Sequence, residues 1–388
     1  MNKELNIRDE EILLMGLCRL SFGVELKVML LALAEGISDW KYFCSLANQH
    51  GVAALVYHNL SKLGFIGLLP ENEAASLRNA LMQNIRRNTI NMESLADTLK
   101  LMNKNDIKVV LLKGMALELS VYGNEGLRQM SDVDVLIEKK DCIRSWKILK
   151  DNGYESLPVK SVFHKLILAD SGKHLPSLIK GGFQFEIHHG LFGGRKNSLT
   201  GMVMDNSTEA GVNGQITYIP SPQVFFLYLI RHLHLHEMKN ESQLRLYTDL
   251  VVLLEKYRDQ IINTNLLSLA FEAGMSDILA WKLEPLRDLW GISFPGWLNE
   301  FINRNYTPAS INKFIFFLKS PKNNPVTDQS SLYRNAVSEI PGLHRKLLYI
   351  LGDLFPTISF MKKRYHCGWL KALIFYPHRL GKLWLLIR

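Results

Sequence analysis

The chain of 388 residues contains few cysteines and no long apolar run. Its four cysteines form no CxxC pair, which argues against a zinc knuckle and against a disulfide framework. The longest uncharged apolar stretches, such as 28–34 and 224–230, fall well short of the roughly 20 residues that a membrane helix needs. The charged first residues lack the small-residue cleavage site of a signal peptide. We therefore expect a cytoplasmic protein with no transmembrane segment.

The composition allows several domains, since 47% of the residues are hydrophobic and no repeat or low-complexity tract interrupts the chain. Helical spacing of apolar residues covers 1–104, followed by an α/β module at 105–220 and a second helical domain at 221–318. A basic helical region at 319–388 closes the chain. A loop rich in proline, asparagine and serine is expected at its start, at 319–331. This order of segments predicts an α+β fold.

The α/β module begins with two strand patterns. The apolar run 107–112 is typical of a buried strand, and a Lys-Gly pair ends it. The segment 131–137 alternates acidic and aliphatic residues before it becomes wholly apolar, which predicts a second strand. Side chains two residues apart on a strand point to the same face, so Asp132 and Asp134 are expected side by side.

Neighbouring carboxylates at the open end of a sheet repel each other unless a cation lies between them. Oxygen ligands of this kind suit Mg²⁺, or Mn²⁺ in its place, with substrate phosphates and water completing the coordination. At the end of the first strand, Gly114 precedes a short predicted helix, and such a turn presents unpaired backbone N–H groups to an anion. Lys113 and Arg128 add positive charge. The pattern therefore predicts a site for a metal ion and phosphate groups.

Lys113-Gly114, Arg128 and Asp132-x-Asp134 resemble the KG…R…DxD signature of a little-characterised bacterial nucleotidyltransferase family within the DNA polymerase β superfamily. The resemblance covers most of the chain, including the segments FEIHHGLF and LRLYTDLVVLL. It implies a polymerase-β-like mixed sheet flanked by N- and C-terminal helical regions. The superfamily more usually has Gly-Ser in place of the Lys-Gly pair, so the phosphate contact of that serine is not carried over.

The resemblance also implies the remaining site residues. The superfamily places a third carboxylate on a neighbouring strand. Glu186 lies on a strictly alternating strand pattern, whereas the competing Glu155 lies on a weaker one. His188 faces the same side as Glu186 and is a candidate to bind the nucleotide phosphates, or to orient that glutamate or a metal-bound water. An ordinary packing role for this histidine is also open. Weaker candidates resemble family positions that pack over the nucleotide site: His232, His236, Arg245 and Asp249.

Ordinary structural roles are also open to several of these residues. His232 and His236 have the four-residue spacing of zinc helices, but no glutamate follows the first histidine as HExxH requires. Arg245 and Asp249, also four residues apart, suit an ion pair on a helix surface. Arg128 suits an ion pair with an aspartate of the DxD motif.

The activity implied is metal-dependent transfer of an NMP group from ATP or another NTP to a hydroxyl-bearing acceptor, with release of pyrophosphate. Asp132, Asp134 and Glu186 would hold one or two ions, while Lys113 and Arg128 offset the phosphate charge. The sequence does not specify the nucleotide, or whether the acceptor is a protein, a peptide, RNA or a small molecule. Two alternatives stay open: a DxD glycosyltransferase that uses a nucleotide sugar, and a non-catalytic protein that binds a nucleotide or a partner.

The net charge of +9 is concentrated at the end of the chain. Residues 341–388 contain nine lysines and arginines and one acid, Asp353, a net charge of +8. Aromatic residues alternate with basic ones there, which suits solvated charge, contact with an anionic membrane surface, or contact with RNA. A helix end expected at Pro377 weakens the membrane interpretation.

Overall fold

The structure is a computed structural model. It describes residues 6–123, 126–192, 198–239, 241, 243–305, 308–320, 333–334, 337–338, 340 and 342–387. The loop predicted at 319–331 lies outside these ranges from residue 321 onward.

The helices are numbered here in chain order: α1 (Asp9–Leu17), α2 (Val24–Gly36), α3 (Trp40–Gln49), α4 (Ala53–Leu63), α5 (Glu71–Asn103), α6 (Lys113–Leu117), α7 (Lys139–Asp151), α8 (Val162–Ser171), α9 (Ser198–Asp205), α10 (Pro222–Met238), α11 (Leu244–Ile261), α12 (Asn265–Glu272), α13 (Ser276–Asp288), α14 (Gly296–Arg304), α15 (Pro308–Lys319), α16 (Leu343–Leu354), α17 (Ile358–Tyr365) and α18 (Trp369–Ile387). A 3₁₀ turn covers Ile66–Leu68, and a π turn at Glu118–Tyr122 continues α6.

The strands are β1 (Val110–Leu111), β2 (Val133–Leu136), β3 (Glu155–Ser156), β4 (Leu178–Lys180), β5 (Phe183–His188), β6 (Ser207–Val212) and β7 (Gln215–Pro220). They form one mixed sheet in the order β3-β4-β5-β2-β1-β7-β6. β2 runs parallel to β5 and antiparallel to β1, while β1 runs parallel to β7. The fold is therefore α+β, as the sequence predicts.

The chain divides into two compact units, each built from three segments. The helical unit comprises Met1–Met92, Lys113–Ser131 and Ile219–Asn324, and the sheet unit comprises Glu93–Leu112, Asp132–Tyr218 and Pro325–Arg388. The division of the sequence into four regions, at 1–104, 105–220, 221–318 and 319–388, stays a prediction.

A β-hairpin that was not predicted from the sequence joins β6 to β7. The hairpin turn is Asn213-Gly214, and both residues have positive φ, 47° and 78°. Asn-Gly between strands is the preferred sequence of a two-residue type I′ turn, because both positions require this left-handed backbone. The dipeptide was therefore a readable signal for this hairpin.

The sequence predicts helical structure over 266–290 that is interrupted near Pro285, and a helix end at Pro377; both predicted breaks are wrong. Pro285 lies inside α13, and the break between α12 and α13 comes earlier, where Gly274 has a φ of 63°. Pro377 lies inside α18, which continues to Ile387. Hydrogen bonds hold α18 on both sides of Pro377, from the Tyr376 hydroxyl to Pro356 O and from Arg379 Nε to Asp353 O. These tertiary contacts compensate for the loss of the backbone hydrogen bond that the proline removes. Within the described ranges, none of the helices combines the length and the apolar character that crossing a bilayer requires.

A buried histidine links three parts of the helical unit. His50 Nε2 lies 2.9 Å from Leu318 O, and His50 Nδ1 accepts a hydrogen bond from Leu244 N at 3.0 Å. The ring is completely buried. Because Nδ1 accepts, the neutral tautomer with hydrogen on Nε2 satisfies both bonds, and a second proton would break one of them. Burial lowers the pKa of His50 from 6.5 to about 4.

We expect the stability of the protein to fall as the pH is lowered from 6.5 to about 4. In this window unfolded His50 binds a proton that folded His50 does not, so the free energy of unfolding decreases with decreasing pH. The pKa difference corresponds to about 3 kcal/mol in total. Urea unfolding of the wild type and of His50→Asn at several pH values measures this term. The variant lacks the titrating ring and should lose correspondingly less stability across the window; parallel curves would contradict this role.

Candidate functional site

A polar cluster lies on two neighbouring parallel strands of the sheet unit. The register of β2 and β5 sets Asp134 opposite Glu186 and Leu136 opposite His188. Because side chains alternate along a strand, Asp134, Glu186 and His188 share one face of the sheet. The alternate residues Phe185 and Ile187 of β5 are buried, so the predicted alternation of this strand is confirmed.

The three polar side chains lie close enough to act together. His188 Nε2 is 2.7 Å from Asp134 Oδ1 and 3.8 Å from Glu186 Oε2. Asp134 and His188 are buried, and Glu186 is half-buried. One ligand atom from each residue lies within 4.8 Å of the others. Ligands about 2.1 Å from one octahedral ion are about 3–4 Å apart, so the three groups fit a divalent cation that replaces the hydrogen between Asp134 and His188.

Two neighbouring side chains fix the direction of the Glu186 carboxylate. Ser177 Oγ donates to Glu186 Oε1 at 2.6 Å, and Gln184 Nε2 donates to the same oxygen at 3.2 Å. The second oxygen, Oε2, is the one nearest His188. Gln184 shares the face of Glu186 in the alternating pattern and could have been identified from it. Ser177 precedes β4, and nothing in the local sequence signals its contact.

The structure places the other two acids considered for this site differently. Asp132 directly precedes β2, is half-buried, and is not one of the three clustered residues. Glu155 is exposed on β3, at the edge of the sheet and separated from β2 by β4 and β5. Strands are about 4.8 Å apart, so Glu155 is about 14 Å from β2. The position of Glu186 therefore suits a third carboxylate better than that of Glu155.

The Lys-Gly pair lies at the start of α6, in the helical unit. Lys113 is half-buried and has a φ of 46°, a left-handed conformation that is costly for a residue with a side chain. Gly114 is buried, and a Cβ there would lie 2.3 Å from Arg128 Nη1 and 2.7 Å from Met130. Only glycine lets the arginine pack this closely on the turn.

We expect Gly114→Ala to destabilise the protein by about 1–3 kcal/mol, because the new methyl group overlaps Arg128 and Met130. Arg128 has little freedom to move away, since its far end is held by a carboxylate. Urea unfolding measures the change, with Gly296→Ala as the control because nothing lies within 4 Å of the Cβ position there. Equal effects of the two substitutions would contradict this packing role.

Arg128 forms a bidentate ion pair with Asp249 rather than with the DxD motif. Arg128 Nε donates to Asp249 Oδ1 at 2.9 Å and Nη2 donates to Oδ2 at 2.8 Å. Tyr122 adds a hydroxyl hydrogen bond to Oδ1 at 3.1 Å. Both charged side chains are buried. Asp249 is therefore not the surface partner of Arg245 that the helical spacing suggested; Arg245 Nη1 instead donates to Gln129 O at 2.7 Å.

Burial and charge act in opposite directions on this pair. Burial disfavours the charged guanidinium, but the Asp249 carboxylate outweighs it and raises the pKa of Arg128 above its ordinary value. Nearby, burial raises the pKa of Glu118, while hydrogen bonds from Asn88 Nδ2 and Gly126 N oppose that rise. The segment 126–128 is thereby fixed within the helical unit by a connected polar network.

The two histidines of α10 lie together in the helical unit. The ring centroids of His232 and His236 are 4.5 Å apart, and His232 also stacks on Tyr228. His236 Nδ1 lies 3.7 Å from Glu241. Neither histidine belongs to a group of three potential metal ligands among the residues that the structure describes. Their predicted contact with a nucleotide stays a prediction.

The mixed sheet and its carboxylate cluster suit a nucleotidyltransferase-type domain. The chain matches the family described as uncharacterised nucleotidyltransferase over residues 37–290, and it belongs to that family. No curated protein matches the chain significantly. Family membership supports nucleotidyl transfer as the general activity and an NTP as the substrate.

Proposed function

We propose that the protein is a metal-dependent nucleotidyltransferase that transfers an NMP group from an NTP to a hydroxyl-bearing acceptor and releases pyrophosphate. The observation that carries this proposal is the register of β2 and β5, which sets Asp134 opposite Glu186 with His188 adjacent. The two carboxylates suit Mg²⁺ or Mn²⁺, and the imidazole adds a nitrogen ligand that Mn²⁺ accepts more readily than Mg²⁺. Membership of the DNA polymerase β superfamily is part of the same proposal.

Asp134, Glu186 and His188 would hold the cation, and Asp132, two residues before Asp134, offers a further carboxylate. The bound ion would gather the triphosphate and lower the pKa of the acceptor hydroxyl. Ser177 holds one oxygen of Glu186, so that the carboxylate is oriented before any ligand arrives. Such preorganisation reduces the cost of forming the site.

The Lys-Gly turn would supply positive charge for the phosphates. Lys113 follows Leu112 at the end of the first strand pattern, and its ammonium group is the proposed phosphate contact. Arg128 is engaged by Asp249 through two nitrogens, so we assign it a positioning role: it packs on Gly114 and supports the turn. We also propose, from the family resemblance alone, that His232, His236 and Arg245 lie over the bound nucleotide.

A thermal-shift panel tests the proposed function. We expect at least one of ATP, GTP, CTP and UTP to stabilise the protein only when Mg²⁺ or Mn²⁺ is present. A ligand at about a hundred times its dissociation constant adds about 2.7 kcal/mol to stability, which is readily detected.

The same panel includes UDP-sugars and each metal alone. Stabilisation by UDP-sugars without any effect of triphosphates would favour a DxD glycosyltransferase. Stabilisation by a triphosphate that is indifferent to the metal would favour a nucleotide-binding protein without catalysis. Either result would contradict the proposed function.

A further inference from the structure

One face of α18 in the sheet unit is apolar and exposed. Its exposed side chains are 43–73% accessible to solvent: Trp369, Leu370, Leu373, Ile374 and Leu380. At 100° per residue they fall within about 140° of the helix circumference. The buried side of the same helix includes Ala372 and the half-buried Tyr376. The helix therefore packs on the sheet unit with one side and presents a continuous apolar stripe to solvent with the other.

A second apolar stripe lies on α16, which packs along α8. Leu343, Leu347 and Leu351, with Phe355 directly after the helix, recur every fourth residue and are 39–75% exposed. Side chains four apart lie one above another on a helix, so these four form a line. Large exposed apolar patches of this kind mark a surface that contacts a partner or a lipid.

The charged residues of the segment that carries both stripes, 341–388, are basic with one exception. The single acid between positions 341 and 388, Asp353, is completely buried and forms ion pairs with Lys160 and Arg379. Lys362, Lys363 and Arg364 are exposed on α17. An open groove connects them to the apolar stripe, since Lys362, Lys363 and Trp369 all line it. The surface that α17 and α18 form around this groove is therefore basic and apolar together.

We propose that this surface, the C-terminal face, binds a membrane in which the leaflet facing the protein carries anionic phospholipid headgroups. Basic residues next to exposed leucine, isoleucine and tryptophan side chains are the combination that holds an amphipathic helix in the plane of a lipid interface. The lysines and arginines contact the acidic headgroups, while the stripe enters the boundary of the acyl chains. The continuous helix through Pro377 supports this, because the break expected there would have divided the stripe.

Other occupants fit the C-terminal face less well. RNA would use the basic charge and the tryptophan, but exposed leucines and isoleucines neither stack on bases nor bind phosphates. A second copy of the chain would bring another strongly basic face against the first, and like charges repel. An anionic bilayer offers both opposite charge and an apolar interior.

Vesicle flotation of the full chain tests the proposal, with vesicles of phosphatidylcholine alone and vesicles that also contain phosphatidylglycerol. We expect the wild type to float with the anionic vesicles. With the neutral vesicles it should stay unbound in the lower fractions. Leu370→Ser/Ile374→Ser should lower the partition coefficient about a hundredfold. Lys362→Gln/Lys363→Gln/Arg364→Gln should lower it about as much. All these side chains are exposed, so the variants should keep the thermal stability of the wild type.

Matched controls come from the helical unit. Phe271→Ser removes one exposed aromatic side chain, and Lys41→Gln/Lys62→Gln removes two exposed charges; both should bind vesicles like the wild type. Wild-type protein that stays unbound on anionic vesicles would overturn the proposal. Stripe variants that float like the wild type would also overturn it. The same holds if the protein binds single-stranded RNA and not vesicles, or if it forms a dimer that the stripe substitutions dissociate.

Discussion

Asp134→Asn should lower metal-dependent pyrophosphate release from the preferred NTP at least about a thousandfold, while the fold is retained. Asparagine keeps the size of aspartate and can still bond His188, but it removes the charge that would hold a divalent cation between β2 and β5. Loss of charge stabilisation worth about 4 kcal/mol corresponds to that factor. The metal-dependent thermal stabilisation by the triphosphate should disappear at the same time.

Glu155→Gln is the matched control for this prediction, since Glu155 is an exposed carboxylate on the edge strand of the same sheet. It should leave pyrophosphate release within about twofold of the wild type, as surface substitutions away from a site usually do. Asp134→Asn with unchanged activity, or Glu155→Gln with a comparable loss, would contradict the assignment of the site to β2 and β5.

Asp249→Ala should destabilise the protein by about 3–5 kcal/mol, because it leaves the buried guanidinium of Arg128 without its partner charge. The buried Tyr122 hydroxyl would also lose its acceptor. Urea unfolding measures the loss. The double variant Arg128→Met/Asp249→Asn removes both charges and keeps an acceptor for Tyr122, so it should be less destabilised than Asp249→Ala.

An exposed ion pair of the same helical unit provides the comparison. Arg304 and Glu300 lie four apart on α14 and are both exposed, so Glu300→Ala should cost less than about 0.5 kcal/mol. If Asp249→Ala cost no more than Glu300→Ala, the pair of Arg128 and Asp249 would not be the support that the structure indicates.

Local patterns predicted the strands of the site correctly. The alternation at 183–188 identified β5, and the acidic start of 131–137 identified β2 at Val133–Leu136. The exact opposition of Asp134 and Glu186 was not predictable, because parallel strands are joined through a long connection and the local sequence does not encode their register. The hydrogen bond from His188 to Asp134 follows from that register.

Contacts between distant segments were the least predictable part. Arg128 and Asp249 are 121 residues apart. From the sequence, Arg128 was expected to pair with an aspartate of the DxD motif, and Asp249 with Arg245. The continuation of α18 past Pro377 likewise depends on bonds that Tyr376 and Arg379 make to distant backbone oxygens. Proline disfavours a helix by a local effect, and tertiary contacts determined the outcome here.

The most direct test of the proposed site is a titration with Mn²⁺ followed by electron paramagnetic resonance, with and without the preferred NTP. The wild type should bind Mn²⁺ together with the NTP, and labelling the histidines with ¹⁵N should change the hyperfine spectrum through coupling to the His188 ring nitrogen. With Asp134→Asn in place of the wild type, the Mn²⁺ spectrum should be that of the Mn²⁺–NTP complex in solution. An unchanged Mn²⁺ spectrum in that variant would contradict a metal site built from Asp134, Glu186 and His188.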